Sequence, residues 1–143
     1  MTDTTTAPYG ALLLRLALGT MFIAHALLKY FVFTLPGTAK FFASIGFPEW
    51  LGYVVFMAEL GGGVMLIAGV YTRAVALALV PILLGATWTH AGNGWLFTAP
   101  NGGWEYPLFL SVATFVQVLL GDGAFALKAT PAALIRPFFA RVS

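Results

Sequence analysis

The chain has 143 residues, room for one compact domain; 60% are hydrophobic and 8% charged, where soluble domains carry roughly a quarter charged. So few charges cannot wet a globular surface, and a net charge of +2 with no dense basic cluster argues against nucleic acid as a partner. The absence of cysteine excludes disulfides, thiolate zinc sites and iron–sulfur clusters carried by the chain itself.

The opening residues Met1–Pro8 are polar and Thr-rich, with no basic stretch ahead of the first apolar run. Arg15 interrupts that run, so it reads as a retained span and not a cleaved leader. The first helix is predicted over about 9–33 and carries Arg15, His25 and Lys29. Between 34 and 50 the chain turns polar yet keeps Phe41, Phe42, Ile45 and Phe47. That pattern predicts a short amphipathic helix at the interface, ending at Gly46-Phe47-Pro48. A second long helix is predicted over 50–71 with Glu59 and the run Gly61-Gly62-Gly63. A tight turn at Val70–Arg73 should make it an antiparallel neighbour of a third helix, 73–90, which contains Pro81 and ends at His90. The Gly-, Asn- and Trp-rich stretch 91–105 is a loop. Its Trp95 and Trp104, with Trp88, Trp50 and Tyr53, form an aromatic belt on one membrane face. The fourth helix, 106–120, is the shortest, and 122–143 reads as an interfacial tail holding Lys128, Arg136 and Arg141. The expected fold is therefore all-α: an integral membrane four-helix bundle with a short interfacial helix between helices one and two. Lipid leaves only helices and closed barrels viable, and no strand alternation is present.

Ionisable groups inside a bilayer cost at least ~2.5 kcal/mol on insertion scales, so each needs a partner or a purpose. At ~100° per residue, Arg15, Phe22, His25 and Lys29 share an arc of about 80° on the first helix. At ~1.5 Å per residue, Arg15 lies about 7 Å and His25 about 22 Å from its start, while Glu59 lies about 13 Å below the top of the second helix. One expectation is a buried polar site in the outer half built from His25, Glu59 and His90, with Glu59 accepting a proton and a histidine donating to a quinone carbonyl. Against it stands a structural role: Arg15–Glu59 or His25–Glu59 as a register-fixing pair, Arg15 and Arg73 snorkelling to the interface, His90 interfacial, and Lys29 and Lys40 as interface anchors. A bis-histidine haem would use both histidines of the chain and is disfavoured; no covalently bound cofactor and no metal site are expected, since the carboxylates are too few. Basic residues bias the side holding Arg73, Lys128, Arg136 and Arg141, with Arg15 near it, against Lys29 and Lys40 on the other, placing both termini in the cytoplasm.

Taken together, Leu14–Gly19 followed by His25-Ala26-Leu27-Leu28-Lys29 resembles the opening helix of the DoxX family. Ala58-Glu59-Leu60-Gly61-Gly62-Gly63, Gly69-Val70-Tyr71-Thr72-Arg73, Gly46-Phe47-Pro48 and Tyr106-Pro107-Leu108 match further landmarks. The resemblance covers about 10–128; the family often has Gly where Ala26 stands, and the tail after Thr130 has no counterpart. It implies a single multi-pass domain over 1–143 in a bacterial or archaeal cytoplasmic membrane, with kinship to the membrane subunit of thiosulfate:quinone oxidoreductase. Arg15, His25, Glu59 and Arg73 are the positions it singles out. The leading expectation is a membrane subunit or anchor of a quinone-linked redox assembly, whose protein partner holds the redox centre. The alternatives are a stand-alone or homo-oligomeric protein that binds a small molecule or protons, and a purely structural subunit that fills space between the helices of a large membrane complex and binds lipids or pigments.

Overall fold

The computed structural model describes residues 3–139. Within them the chain forms helices α1 (Ala7–Phe31), α2 (Leu35–Ser44), α3 (Trp50–Ala68), α4 (Thr72–His90), α5 (Glu105–Leu120) and α6 (Ala132–Phe139), a 3₁₀ turn at Ala91–Asn93, and no strands. Arg141, counted above in the tail's basic residues, lies outside the described residues.

Local chemistry sets most of these bounds. Pro8 sits in the first turn of α1, where its missing N–H costs nothing. Thr34 starts α2 by accepting a hydrogen bond from the Gly37 N–H at 3.1 Å. α3 stops at Ala68, short of the expected 71, because Gly69 turns left-handed (φ 68°). The Gly69 N–H then donates to Leu66 O and the Val70 N–H to Met65 O, which closes the helix end with its own carbonyls.

α1, α3 and Thr72–Asn93 are long and apolar enough to cross a membrane. α5 is apolar but has 16 residues, ~24 Å of rise against a hydrocarbon layer of ~30 Å. α1 packs on α3 and α5, and α4 packs on the same two helices. Between them lies a core of Leu18, Phe22, Leu66, Ala76, Leu79, Leu83, Leu110 and Val118.

The three glycines of 61–63 have three different fates. A Cβ on Gly63 would lie 2.9 Å from Gly19 O and 3.1 Å from Ile23 N, and one on Gly19 would lie 2.8 Å from Gly63 O. Here the backbones of α1 and α3 touch, which only glycine on both sides permits. Gly62 faces Leu79 of α4, and Gly61 faces open space.

The surface is inverted relative to a water-soluble protein. Leu13, Phe31, Met57, Leu84, Phe109 and Val112 are exposed, while Arg15, Glu59, Thr72, Thr114 and Gln117 are buried. Apolar side chains outside and polar ones inside suit a hydrocarbon surround.

Two peripheral segments are fastened to the bundle, the helix expected between the first two long helices and the segment after α5. α2 is seated on the first turn of α3 by small residues: a Cβ on Gly52 would lie 3.2 Å from Ala39 Cα, and Thr38 and Ala39 are buried. The segment after α5 is held by backbone hydrogen bonds. Ala124 N–H donates to Pro8 O, Leu127 N–H to Ala68 O, Lys128 N–H to Gly69 O, and Tyr71 N–H to Lys128 O. It thus laces the start of α1 to the α3–α4 turn before α6 begins.

Candidate functional site

Apart from His90, the polar side chains fall into three groups, two at neighbouring levels towards one end of the bundle and the third at the other. The first is an ion pair between α1 and α3: Lys29 Nζ lies 2.7 Å from Glu59 Oε2. The Gly19–Gly63 crossing sets the two helices antiparallel with Glu59 roughly level with His25, so Lys29 must reach back about one turn, ~6 Å. It can, because a helical Cα–Cβ bond leans towards its own N-terminus. In an antiparallel pair Lys29 and Glu59 therefore lean towards each other. Lys29 was expected as an interface anchor; it is instead the partner that Glu59 needs, and neither Arg15 nor His25 hydrogen-bonds to that carboxylate. The signal was legible in the arc that Lys29 shares with His25, four residues before it.

His25 turns to α5. Its Nδ1 donates to Met21 O at 2.8 Å. The ring stacks on Tyr106, centroids 6.1 Å apart and planes 25° from parallel, and the Tyr106 hydroxyl donates to Met21 Sδ at 3.6 Å. Tyr106 in turn lines a cleft of about 490 Å³ with Trp95, Phe97, Glu105, Phe109 and Val112. Tyr106 appeared in the sequence only as a family landmark; nothing in its spacing pointed to His25, because the two are joined by tertiary packing alone.

His90 is not part of this group. Its Nδ1 lies 3.1 Å from Gly102 O, and Asn93 Nδ2 donates to the same carbonyl at 2.8 Å. Both side chains tie down the loop 91–104, which is also closed by Trp104 N–H to Gly94 O and by Phe97 N–H to Glu105 Oε1 at 2.9 Å. The expected cluster of His25, Glu59 and His90 thus resolves into separate contacts.

The third group lies at the opposite end. Arg15, 1% exposed, donates from Nη1 to Asp122 O (3.0 Å) and from Nη2 to Ala124 O (3.2 Å). Gly69 has no Cβ that would strike this guanidinium. Arg73 donates from Nη2 to Leu119 O at 3.2 Å and from its backbone N–H to Thr130 Oγ1 at 3.1 Å. Asp122 accepts from the Thr130 N–H and hydroxyl at 3.0 and 2.8 Å. Neither arginine snorkels free as expected; Arg15 binds two carbonyls of the returning chain and Arg73 a carbonyl in the last turn of α5. Gln117 on α5, fully buried, donates to Gly121 O at 2.8 Å. Among the described residues, no three of His, Asp and Glu are grouped as a metal site would require.

The family model for DoxX matches residues 10–92. The chain belongs to the DoxX family. The match spans α1 to α4 and so contains Arg15, His25, Lys29, Glu59, Arg73 and His90; it is shorter than the 10–128 over which the motifs extend. The DoxX chain is 42% identical over 77 residues to a Bacillus subtilis protein named "Putative oxidoreductase CatD", a stretch covering 54% of this chain and 56% of that protein. The chain therefore spans little more than half the length of that relative. It is 34% identical over 122 residues, 84% of this chain and 89% of the other, to an uncharacterized protein of Haemophilus influenzae. No solved structure matches.

Proposed function

We propose that this DoxX protein is the multi-pass membrane subunit of a redox assembly, and that it holds a quinone head group in the aromatic cleft at Tyr106. The observation that carries the proposal is the cleft itself: about 490 Å³ walled by Trp95, Phe97, Tyr106, Phe109 and Val112, with His25 stacked against the Tyr106 ring. The cleft is open on its outer side, where Phe97 and Phe109 are exposed, and its aromatic walls suit a flat ring laid against them. The Tyr106 hydroxyl is held only by a weak sulfur acceptor and is available to donate to a quinone carbonyl. Reduction to the quinol takes two electrons and two protons; with no cysteine in the chain, the electrons come from a redox centre on a partner protein. The name of the Bacillus relative is consistent with that role.

In the same reading α5 is the fourth span, completed by Trp104 and the residues after Leu120, and α2 lies at the membrane surface. Arg15, Arg73, Lys128 and Arg136 mark the cytoplasmic end of a bacterial or archaeal cytoplasmic membrane, with both termini on that side. Purification in mild detergent, followed by quinone extraction and mass spectrometry of co-purifying proteins, tests it. Bound quinone is expected, lost in Tyr106→Leu without loss of helicity, together with a partner that carries flavin, haem or iron–sulfur. A quinone-free, partner-free protein would leave the Lys29–Glu59 pair as the centre of a stand-alone small-molecule or proton-binding protein, or of a purely structural subunit.

A further inference from the structure

A second cavity, of about 240 Å³, opens where the start of α4, the last turn of α5 and α6 meet; its walls are Arg73, Val118, Leu119, Ala132, Ile135 and Arg136. Two guanidinium side chains and four aliphatic ones make a lining that is cationic in part and apolar elsewhere. The Arg73 guanidinium is only partly satisfied: Nη2 reaches Leu119 O, whereas Nε is buried without a hydrogen-bond partner. Nε packs against Gly121, so it is the outer edge of the guanidinium that can meet an acceptor from the cavity, and an anionic oxygen is the strongest one.

The surrounding charges leave the site positive. Arg15, Arg73, Lys128 and Arg136 stand at this end against Asp3 and Asp122. Arg15 is committed to backbone carbonyls, both oxygens of Asp122 to Thr130, and the Lys128 ammonium lies over the Tyr71 ring. Phe125, Leu127, Leu134 and Phe138 are all exposed at the same end. Cations and bare apolar side chains share one level, as they do where head groups meet acyl chains.

We propose that this cavity binds one anionic phospholipid, its phosphodiester oxygens between Arg73 and Arg136 and the upper part of an acyl chain along Val118, Leu119 and Ile135. The proposal rests on the membrane reading above but not on the quinone cleft, which lies at the other end of α5. A membrane-surface cation contributes a factor of about five to the preference for an anionic head group, so two contribute roughly twenty-five-fold.

The test is native mass spectrometry of the full chain in detergent, titrated with phosphatidylglycerol or with phosphatidylcholine of the same acyl chains. The expected result is preferential retention of one phosphatidylglycerol. Arg136→Gln should reduce that preference about fivefold, and the Arg73→Gln/Arg136→Gln pair should bring the two lipids close to parity. Lys40→Gln, at the opposite end, should change nothing, and inorganic phosphate should not displace the lipid. Equal retention of both lipids by the unaltered chain, an intact preference in the double variant, or displacement by inorganic phosphate would each overturn the proposal. Arg136 is exposed on α6, so its single variant decides the matter if the double variant does not fold. Quinone content measured on the same samples separates a failure here from a failure of the quinone reading.

Discussion

The Lys29–Glu59 pair allows an asymmetric prediction about its two halves. Lys29 stands two residues before the end of α1 at Phe31, ~3 Å of rise from the helix terminus. Glu59 stands nine residues inside α3 from Trp50, ~13 Å from its end. If Glu59 becomes Gln, the amide oxygen still accepts from Nζ, and Lys29 can swing its ammonium outward along the helix; the expected cost is about 1 kcal/mol. If Lys29 becomes Met, the carboxylate is stranded, 5% exposed, with no route to water. Removing one partner of a buried pair costs about 3–5 kcal/mol, and this variant should fall in that range. The double variant Lys29→Met/Glu59→Gln removes both charges and should recover most of the loss, because apolar and neutral replacements of a buried pair are often near neutral. Equilibrium unfolding in mixed micelles with an anionic detergent, followed through the tryptophans, gives the four free energies of the cycle. Two single variants within about 0.5 kcal/mol of the parent, with an additive double, would refute the reasoning by showing that the two groups are not energetically coupled.

Gly63→Ala should destabilise by about 1–3 kcal/mol, because the new methyl meets the Gly19 carbonyl and the Ile23 N–H of a neighbouring backbone. Gly61→Ala, which meets nothing, should be neutral or gain up to about 1 kcal/mol; thermal unfolding of the two side by side reads the contrast. Asn93→Ala removes the donor shared by the Asn101 and Gly102 carbonyls and should speed amide hydrogen exchange across the 91–104 loop while leaving α1 and α3 protected. Thr34→Ala deletes the acceptor that opens α2 and should cost about 1 kcal/mol, visible as faster exchange at Gly37.

Much of the fold was legible because hydrocarbon imposes long apolar runs and most breaks between them are chemically plain, as at Gly121 after α5; the left-handed Gly69 that ends α3 was not, since an apolar run continues through it. The polar interior was legible only as an inventory. That Arg15, His25 and Lys29 share one arc of α1 follows from helical period, but a period says nothing of which helix faces which. Lys29 was expected as an interface anchor; the antiparallel lean of the two side chains, a property of the α1–α3 pair and of neither helix alone, turns it towards Glu59. His90 looked like a member of a site because it shares the outer level with His25. The acceptor that claims it, Gly102 O, is a backbone atom in a loop, to which residue types give no clue. Arg15 and Arg73 were hidden for the same reason, since their partners at Asp122, Ala124 and Leu119 are main-chain carbonyls.

That last feature has a measurable consequence at Asp122. Arg15 takes the Asp122 carbonyl oxygen, while the carboxylate serves Thr130; one residue thus takes part in two separate fastenings of the tail. Asp122→Asn keeps the carbonyl and one side-chain acceptor but loses the oxygen that receives the Thr130 N–H, so about 1 kcal/mol should be lost and only the 128–130 end should loosen. Arg15→Met leaves two partly buried carbonyls without donors, at roughly 1 kcal/mol each, and should release the whole stretch back to the start of α1. Amide exchange at Tyr71 and Lys128, which bond across the lace, and at Ala124, which bonds to Pro8, distinguishes the two. Ala124 should stay protected in Asp122→Asn and lose protection in Arg15→Met. If Ala124 opens equally in both, guanidinium–carboxylate attraction holds the tail and the carbonyl contacts are incidental. If it opens only without Arg15, the clamp depends on main-chain atoms that any residue supplies.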